Sequence, residues 1–355
     1  MFNFKNLKLT VFIAIFALLL VACSNSNDGD NNQSSNGNES PETNEQQENG
    51  NEESESEDQA DTVEITDAHG TVTVPVNPQN VVALDNRSFE TLADWGIELA
   101  AAPQDVMPAS SAYKEDDSIQ NIGNHREPNL EIIAAVDPEL VIVGQRFASY
   151  YEDIKALVPN ATVIDLNIDV SEEAATPGEN LINGFKDMTT SLGQIFDKND
   201  EAEQLISDLD QAIEDVKTAY NEEDTVMSVI VSGGDINFSA PHTGRVWGPL
   251  YEIFDWTPSL EIDQASSDHQ GDDISVEAIA ETNPDWIFVM DRDAAVSSEE
   301  EATPAQDVID NAPALQNTTA VTEEQIVYAP ADTYTNESIQ TFIELFKDLA
   351  DALAE

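Results

Sequence analysis

A chain of 355 residues, 40% of them hydrophobic, is long enough to bury more than one core, and two domains plus a tail is the expected organisation. Its 13 Lys and Arg face 71 Asp and Glu, a formal net charge of −58 that repels nucleic acid and anionic membrane surfaces and suits a solvated surface in salty surroundings. The single cysteine excludes an intramolecular disulfide and any cysteine-rich metal site.

The N-terminus carries Lys5 and Lys8, an apolar run from Leu9 to Leu20, and then Leu20-Val21-Ala22-Cys23. That is the pattern of a signal peptide over residues 1–22 ending in a lipobox, and its apolar run is shorter than the roughly 20 residues a span requires. Cys23 is then the lipidated residue, and the expected location is the extracytoplasmic face of the cell membrane, held there by the lipid. With the signal removed, the basic count falls from 13 to 11 and the net charge becomes 11 − 71 = −60. Residues 23–61 are almost entirely Asn, Ser, Glu, Asp, Gln and Gly, too polar to offset chain entropy by burial, and read as a disordered acidic tether.

Thr62 to Ile65 and Thr71 to Val74 flank Asp67-Ala68-His69-Gly70 and predict a hairpin. Val81 to Leu84 reads as a buried strand and Ser88 to Trp95 as a helix stopped by Gly96. Asp85-Asn86-Arg87 is left as a loop at the strand's carboxyl end, where open α/β sheets place their ligand loops. Pro103 to Pro128 is loop-rich, with Tyr113 and Asn124-His125-Arg126-Glu127. Residues 130–146, LEIIAAVDPELVIVGQR, read as a short helix, a proline turn, a buried strand and an arginine, followed by Phe147, Tyr150 and Tyr151.

Thr176-Pro177-Gly178-Glu179 predicts a capping box with proline at the first helical position. Leu181, Phe185, Met188, Leu192 and Ile195 then alternate spacings of four and three, one apolar stripe on a long helix. A second helix restarts at Asp200 and carries Leu205, Leu209, Ile213 and Val216 inward. Val226 to Val231 is an apolar strand, followed by the loop His242-Thr243-Gly244-Arg245, a helix from Trp247 to Phe254, and a loop over residues 259–273 containing His269. Residues 276–292, VEAIAETNPDWIFVMDR, repeat residues 130–146 without a gap at an offset of 276 − 130 = 146, pairing Glu131 with Glu277, Pro138 with Pro284 and Arg146 with Arg292. A final amphipathic helix spans residues 336–353.

The repeat on either side of a long helix predicts α/β architecture: two three-layer α/β lobes joined by a single long linker helix, with the ligand cleft between the lobes. The expected boundaries are 62–176 for the N-terminal lobe, 177–197 for the linker helix and 198–355 for the C-terminal lobe. Each lobe offers an arginine to the shared cleft, and only five arginines occur: Arg87, Arg126, Arg146, Arg245 and Arg292. Guanidinium retained on so acidic a chain points to a fixed cation for an anionic ligand. The alternative is that each pairs with a neighbouring acid, as Arg292 could with Asp291. No Walker loop, G-x-G-x-x-G, H-E-x-x-H or G-x-S-x-G occurs, and four scattered histidines give no metal-ligand spacing.

Taken in order, Asn77-Pro78-Gln79-Asn80-Val81-Val82, Glu127-Pro128-Asn129-Leu130-Glu131, Asp137-Pro138-Glu139-Leu140, His269 to Ile274, Asn283-Pro284-Asp285 and Met290-Asp291-Arg292 resemble the substrate-binding lipoproteins of ABC importers for ferric siderophores. The resemblance covers residues 62–355 and looks strongest to the members that take catecholate-type siderophores such as petrobactin or enterobactin. It implies a helix-linked bilobed fold, no enzymatic activity, no cofactor, a ferric siderophore as ligand, an ABC permease as partner and a monomer. Arg146, Arg245 and Arg292 match a cationic triad around the anionic chelate.

His269 matches a histidine that completes iron coordination in some relatives, with Tyr334 as the tyrosine partner; a satisfied loop histidine is the competing reading. Asn86 and Arg87 join the ligand-binding set from the first lobe, and Phe147, Tyr150 and Trp247 are candidates to stack on catechol rings, with core packing as their alternative. Glu131 and Glu277 match glutamates that meet arginines of the permease, and each also suits the first turn of a helix. The same fold holding haem or cobalamin, a Zn or Mn receptor, an exported enzyme and a structural lipoprotein are the rival readings.

Overall fold

Successive residues of the central strands enter different cores, because side chains alternate across a strand with period two. The computed structural model describes residues 61–263, 265–296 and 302–354; the signal peptide, Cys23 and nearly all of the expected tether lie outside them. A hairpin, β1 (Thr62–Asp67) with β2 (Gly70–Pro75), opens the described chain. The first lobe is a parallel sheet of β3 (Val81–Ala83), β4 (Leu99–Ala102), β5 (Gln120–Asn121), β6 (Leu140–Val143) and β7 (Thr162–Asp165), in the order β5-β4-β3-β6-β7. The second holds β8 (Thr225–Ser232), β9 (Asp235–Phe238), β10 (Thr257–Pro258), β11 (Trp286–Asp291) and β12 (Ile326–Tyr328), in the parallel order β10-β8-β11-β12 with β9 antiparallel to β8.

In β6, Val141 and Val143 enter a core private to the first lobe, while Leu140 and Ile142 enter a core shared by both lobes. In β11, Ile287 and Val289 enter a core private to the second, while Trp286, Phe288 and Met290 join the shared one. The shared core is filled from the other side by Leu181, Phe185 and Leu192 of the linker helix (Pro177–Ile195), Leu209 and Ile213 of the following helix (Asn199–Ala219), and Phe342 and Phe346 of the C-terminal helix (Ile339–Leu353). Two α/β lobes thus rest one face each on a common helical layer, which steadies the cleft between them.

The linker helix starts at Pro177, but not by a capping box. Thr176 makes no side-chain cap, and the orphan Gly178 N–H is taken instead by Glu252 Oε2 at 2.9 Å, from the second-lobe helix Trp247–Phe254. Asn86 and Arg87 are also not in a loop: Asp85 caps the helix Asn86–Asp94 by accepting from Arg87 N at 3.0 Å, so the helix begins earlier than its apolar pattern indicated. That helix meets the Thr333–Asn336 turn and the start of the C-terminal helix through a polar seam. Asn86 Nδ2 donates to Thr335 O at 2.7 Å, Glu90 accepts from Asn336 Nδ2 at 2.8 Å and from Ser338 Oγ, and Gln340 Nε2 donates to Asp94 at 3.1 Å. Among the described residues no helix is long and apolar enough to cross a membrane.

Candidate functional site

The carboxyl ends of β6 and β11 deliver the two repeat arginines. Leu130–Ala135 and Val276–Glu281 are both helical, the residues before the repeated prolines are both left-handed (Asp137 φ 47°, Asn283 φ 49°), and the strands start at Leu140 and Trp286. Each strand then runs into a short helical segment, Gln145–Tyr150 and Arg292–Val296, whose first turn carries the arginine. Arg245 comes from the loop after β9, where Gly244 approaches Ala240 so closely that a Cβ would stand 2.7 Å from its backbone nitrogen.

The three arginines line one cavity of about 470 Å³ between the lobes, and Lys114 and Arg126 line it too. Against these five cations the wall holds one carboxylate, Asp105. Tyr334, 7% exposed, forms the floor: the Arg245 guanidinium lies 4.5 Å and that of Arg292 5.2 Å from its ring centroid. Burial, then Arg245, lowers the Arg146 pKa, yet a guanidinium stays charged. His125, also in the wall, is pushed below its ordinary value by burial and then by Arg146, Arg126 and Arg245, so its imidazole is neutral at neutral pH. Arg146 donates to Gln145 Oε1 at 2.9 Å, and Arg292 donates to Ser232 Oγ at 3.2 Å with Asp293 at 4.0 Å. Among the described residues neither Arg126 nor Arg146 has a carboxylate within salt-bridge distance. The site can therefore offer directed donors and uncompensated charge to an anion.

Behind Arg245 stands Glu337. It is 5% exposed and takes Arg245 Nη2 on Oε1, with Arg87 Nη2 at 3.2 Å and Gln145 Nε2 at 2.7 Å on Oε2. Burial alone pushes its carboxyl up, but Arg245, Arg87 and Arg146 outweigh burial and hold it below the usual carboxylate range.

The other expected site residues fall in different places. His269 lines the same cavity, its side chain 44% exposed and its Nδ1 3.8 Å from Asp268 Oδ1. Arg87 lines a second chamber, on the Glu337 side. Asn86 is buried and donates to Val106 O at 3.0 Å as well as to Thr335 O, so it ties the lobes instead of facing the cavity. Phe147 and Trp247 are fully buried, Phe147 in the first lobe's private core and Trp247 in the shared core 5.7 Å from Phe288, and neither presents a ring face for stacking. Tyr150 stands one layer back, its hydroxyl donating to His125 O at 3.0 Å and propping the Arg126 loop. Glu131 and Glu277 are exposed in the first turns of the two repeat helices. Among the described residues no three His, Cys, Asp or Glu side chains gather as a metal site.

Lys114, Arg126, Gln145 and Glu337 carry no role in the sequence reading. Arg126 could have been found by the scarcity argument that singled out the other arginines, and Lys114 less so among eight lysines. Glu337 is one of 71 acids, and nothing local marks it.

A sequence profile described as periplasmic binding protein matches residues 81–333, more than half of the chain. The petrobactin-binding protein YclQ of Bacillus subtilis (strain 168) is 28% identical over 292 residues, covering 81% of this chain and 86% of its own length. The ferric-anguibactin-binding protein FatB of Vibrio anguillarum is 27% identical over 285 residues, covering 79% and 84%. Among solved structures, the siderophore binding protein BauB, bound to a complex between two molecules of acinetobactin and ferric iron, superposes with a TM-score of 0.70 at 26% identity, over 83% of this chain and 100% of its own.

Proposed function

The chain belongs to the periplasmic binding protein family, and from that premise we propose that it captures a ferric siderophore of the catecholate type and delivers it to an ABC permease. The observation that carries this reading is the convergence of Arg126, Arg146, Arg245, Arg292 and Lys114 on one interlobe cavity of an otherwise strongly acidic chain. A ferric tris-catecholate carries about three negative charges and presents oxygens to directed N–H donors, which guanidinium groups match. The acidic surface repels such a ligand at long range, but salt shortens that repulsion to about 3 Å at 1 M while leaving contact interactions in the cavity. The relatives that bind petrobactin and ferric anguibactin support the ligand class.

In this reading Arg146, Arg245 and Arg292 hold the chelate, and Tyr334 and His269 stand where protein groups could reach its iron. Glu131 and Glu277, one per lobe, dock the permease, and Cys23 carries the lipid that keeps the receptor on the outer face of the membrane. The lobes divide at residues 177–197, and the protein is a monomeric carrier that performs no chemistry. A haem or cobalamin receptor of the same fold would have less use for so cationic a cavity.

The test is quenching of tryptophan fluorescence by ferric catecholates, ferric hydroxamates, haem and cobalamin. Catecholates are expected to bind at sub-micromolar concentration, with roughly tenfold loss for each of Arg146→Ala, Arg245→Ala and Arg292→Ala. Binding of haem or cobalamin that ignores all three substitutions would keep the family and overturn the ligand.

A further inference from the structure

A cavity built to attract anions has a buried carboxylate directly behind one of its arginines. Glu337 is, among the described residues, the one acid paired with guanidinium groups of both lobes, Arg87 from the first and Arg245 from the second. Both of its oxygens are used, and its place is fixed by the chain: it holds a left-handed backbone (φ 51°) at the joint between the Thr333–Asn336 turn and the C-terminal helix, whose first turn is capped by Ser338 accepting from Thr341 N at 3.0 Å. It lines the second chamber, of about 310 Å³, and not the cationic one. A ligand in the cationic chamber therefore meets Arg245 with a fixed negative charge one guanidinium behind it.

We propose that Glu337 is the residue that sets the ligand charge this cleft prefers, and this rests on reading the cleft as a ferric-siderophore site. In the empty cleft the carboxylate compensates Arg87 and Arg245, whose mutual repulsion would otherwise oppose the closeness of the lobes. In the occupied cleft it repels the chelate in proportion to the chelate's own negative charge, and a neutral chelate feels no such penalty. Water exclusion makes this buried charge count for more than surface acids, which salt screens. Glu337 also keeps Arg245 seated against Tyr334, to whose carbonyl Arg245 Nη2 donates at 3.1 Å. The position thus trades some affinity for the most anionic ligands against an ordered, ready guanidinium.

The probes are ferric complexes of mixed catecholate and hydroxamate ligands, a series running from neutral to trianionic as catecholates replace hydroxamates. Glu337→Gln is expected to steepen the dependence of affinity on ligand charge, raising the trianion-to-neutral ratio by about tenfold at both low and high salt. Glu337→Asp keeps the charge and leaves the ratio as in the wild type, while weakening all members together. Should Glu337→Gln fail to fold because Arg87 is left buried and unpaired, the double variant Arg87→Gln/Glu337→Gln is compared with Arg87→Gln alone, which isolates the same charge. A charge dependence unchanged in Glu337→Gln, with the wild type binding normally, overturns this proposal alone. A wild type that binds no member of the series overturns the siderophore reading and this proposal with it.

Discussion

Leu130 to Arg146 and Val276 to Arg292 follow one path, with helix, left-handed turn, strand and arginine in register, yet their surroundings differ. The residue two before Arg146 is Gly144, seated against the carboxyl of Asp85; its counterpart before Arg292 is Met290, packed into the shared core. Arg146 leans on the neutral amide of Gln145, whereas Arg292 has Ser232 and, at 4.0 Å, Asp293. The repeat fixes where each guanidinium emerges, and the unrepeated neighbours fix how freely its charge acts. One backbone unit used twice has become two sites of different electrostatic strength.

The most damaging way to break the likeness is Gly144→Ala. The backbone there is extended (φ 169°), so conformation is no obstacle, but a Cβ would lie 2.7 Å from Asp85 Cγ and 3.1 Å from its Cβ. Both groups are held by the strand and the helix cap and cannot retreat, and we expect a loss of about 3 kcal/mol in urea denaturation. Met290→Leu, volume-conserving in an apolar core, should cost less than about 1.5 kcal/mol. Equal losses at the two positions would mean that the Asp85 contact yields easily.

What the sequence disclosed and what it hid divide along the same line. The repeat, the linker helix from Pro177 and the two strand-end arginines were legible because each is written in local spacing: an apolar period, a proline, a repeated register. Glu337 was not, because its partners Arg87 and Gln145 are 250 and 192 residues away and only the folded chain unites them. Which of the two fates open to Phe147 and Trp247, stacking in the cleft or packing in the core, applies was not legible for a related reason. An aromatic near an arginine that lines the cavity has the same sequence signature whether its ring enters the cleft or the core, and here the core takes both rings. The cap on the linker helix likewise comes from Glu252, on a helix that follows it by 74 residues.

A second, smaller asymmetry is electrostatic. The Asp85 carboxyl beside Gly144 is fully buried, its Oδ2 has no hydrogen-bond partner among the described residues, and burial, opposed by Arg87, pushes its pKa up from 3.8 to about 6. A carboxyl raised in the folded state takes up a proton that the unfolded chain does not. The contribution of this one group to stability is therefore fully present below about pH 4, falls as pH rises toward 6, and is absent above it. Asp85→Asn keeps an oxygen for the Arg87 N–H and removes the charge, so at pH 7 it should stabilise by roughly 2 kcal/mol, an advantage that fades near pH 4. Urea midpoints of both proteins across that range decide the matter; an advantage independent of pH would show that the carboxyl titrates normally.

The finest distinction lies at the turns, where Asp137 and Asn283 share a left-handed backbone that favours glycine. Glycine relieves the same strain in both copies, and its greater freedom in the unfolded chain takes back part of that gain. The side chains being removed are not equivalent. Asn283 anchors the start of the distant helix Thr319–Thr322, its Oδ1 accepting from Thr319 N at 3.0 Å and its Nδ2 donating to Thr319 Oγ1 at 2.9 Å. The Asp137 carboxylate has no hydrogen-bond partner among the described residues, and the bond that its carbonyl accepts from Asn80 Nδ2 at 3.3 Å survives the substitution. Asp137→Gly is therefore expected to stabilise by about 0.5 kcal/mol, and Asn283→Gly to destabilise by about 1 kcal/mol through its two lost hydrogen bonds. Opposite signs at two positions with matching φ would assign the difference to side-chain partners. Matching signs would mean that backbone strain governs both turns and that the copies are more alike than their neighbours indicate.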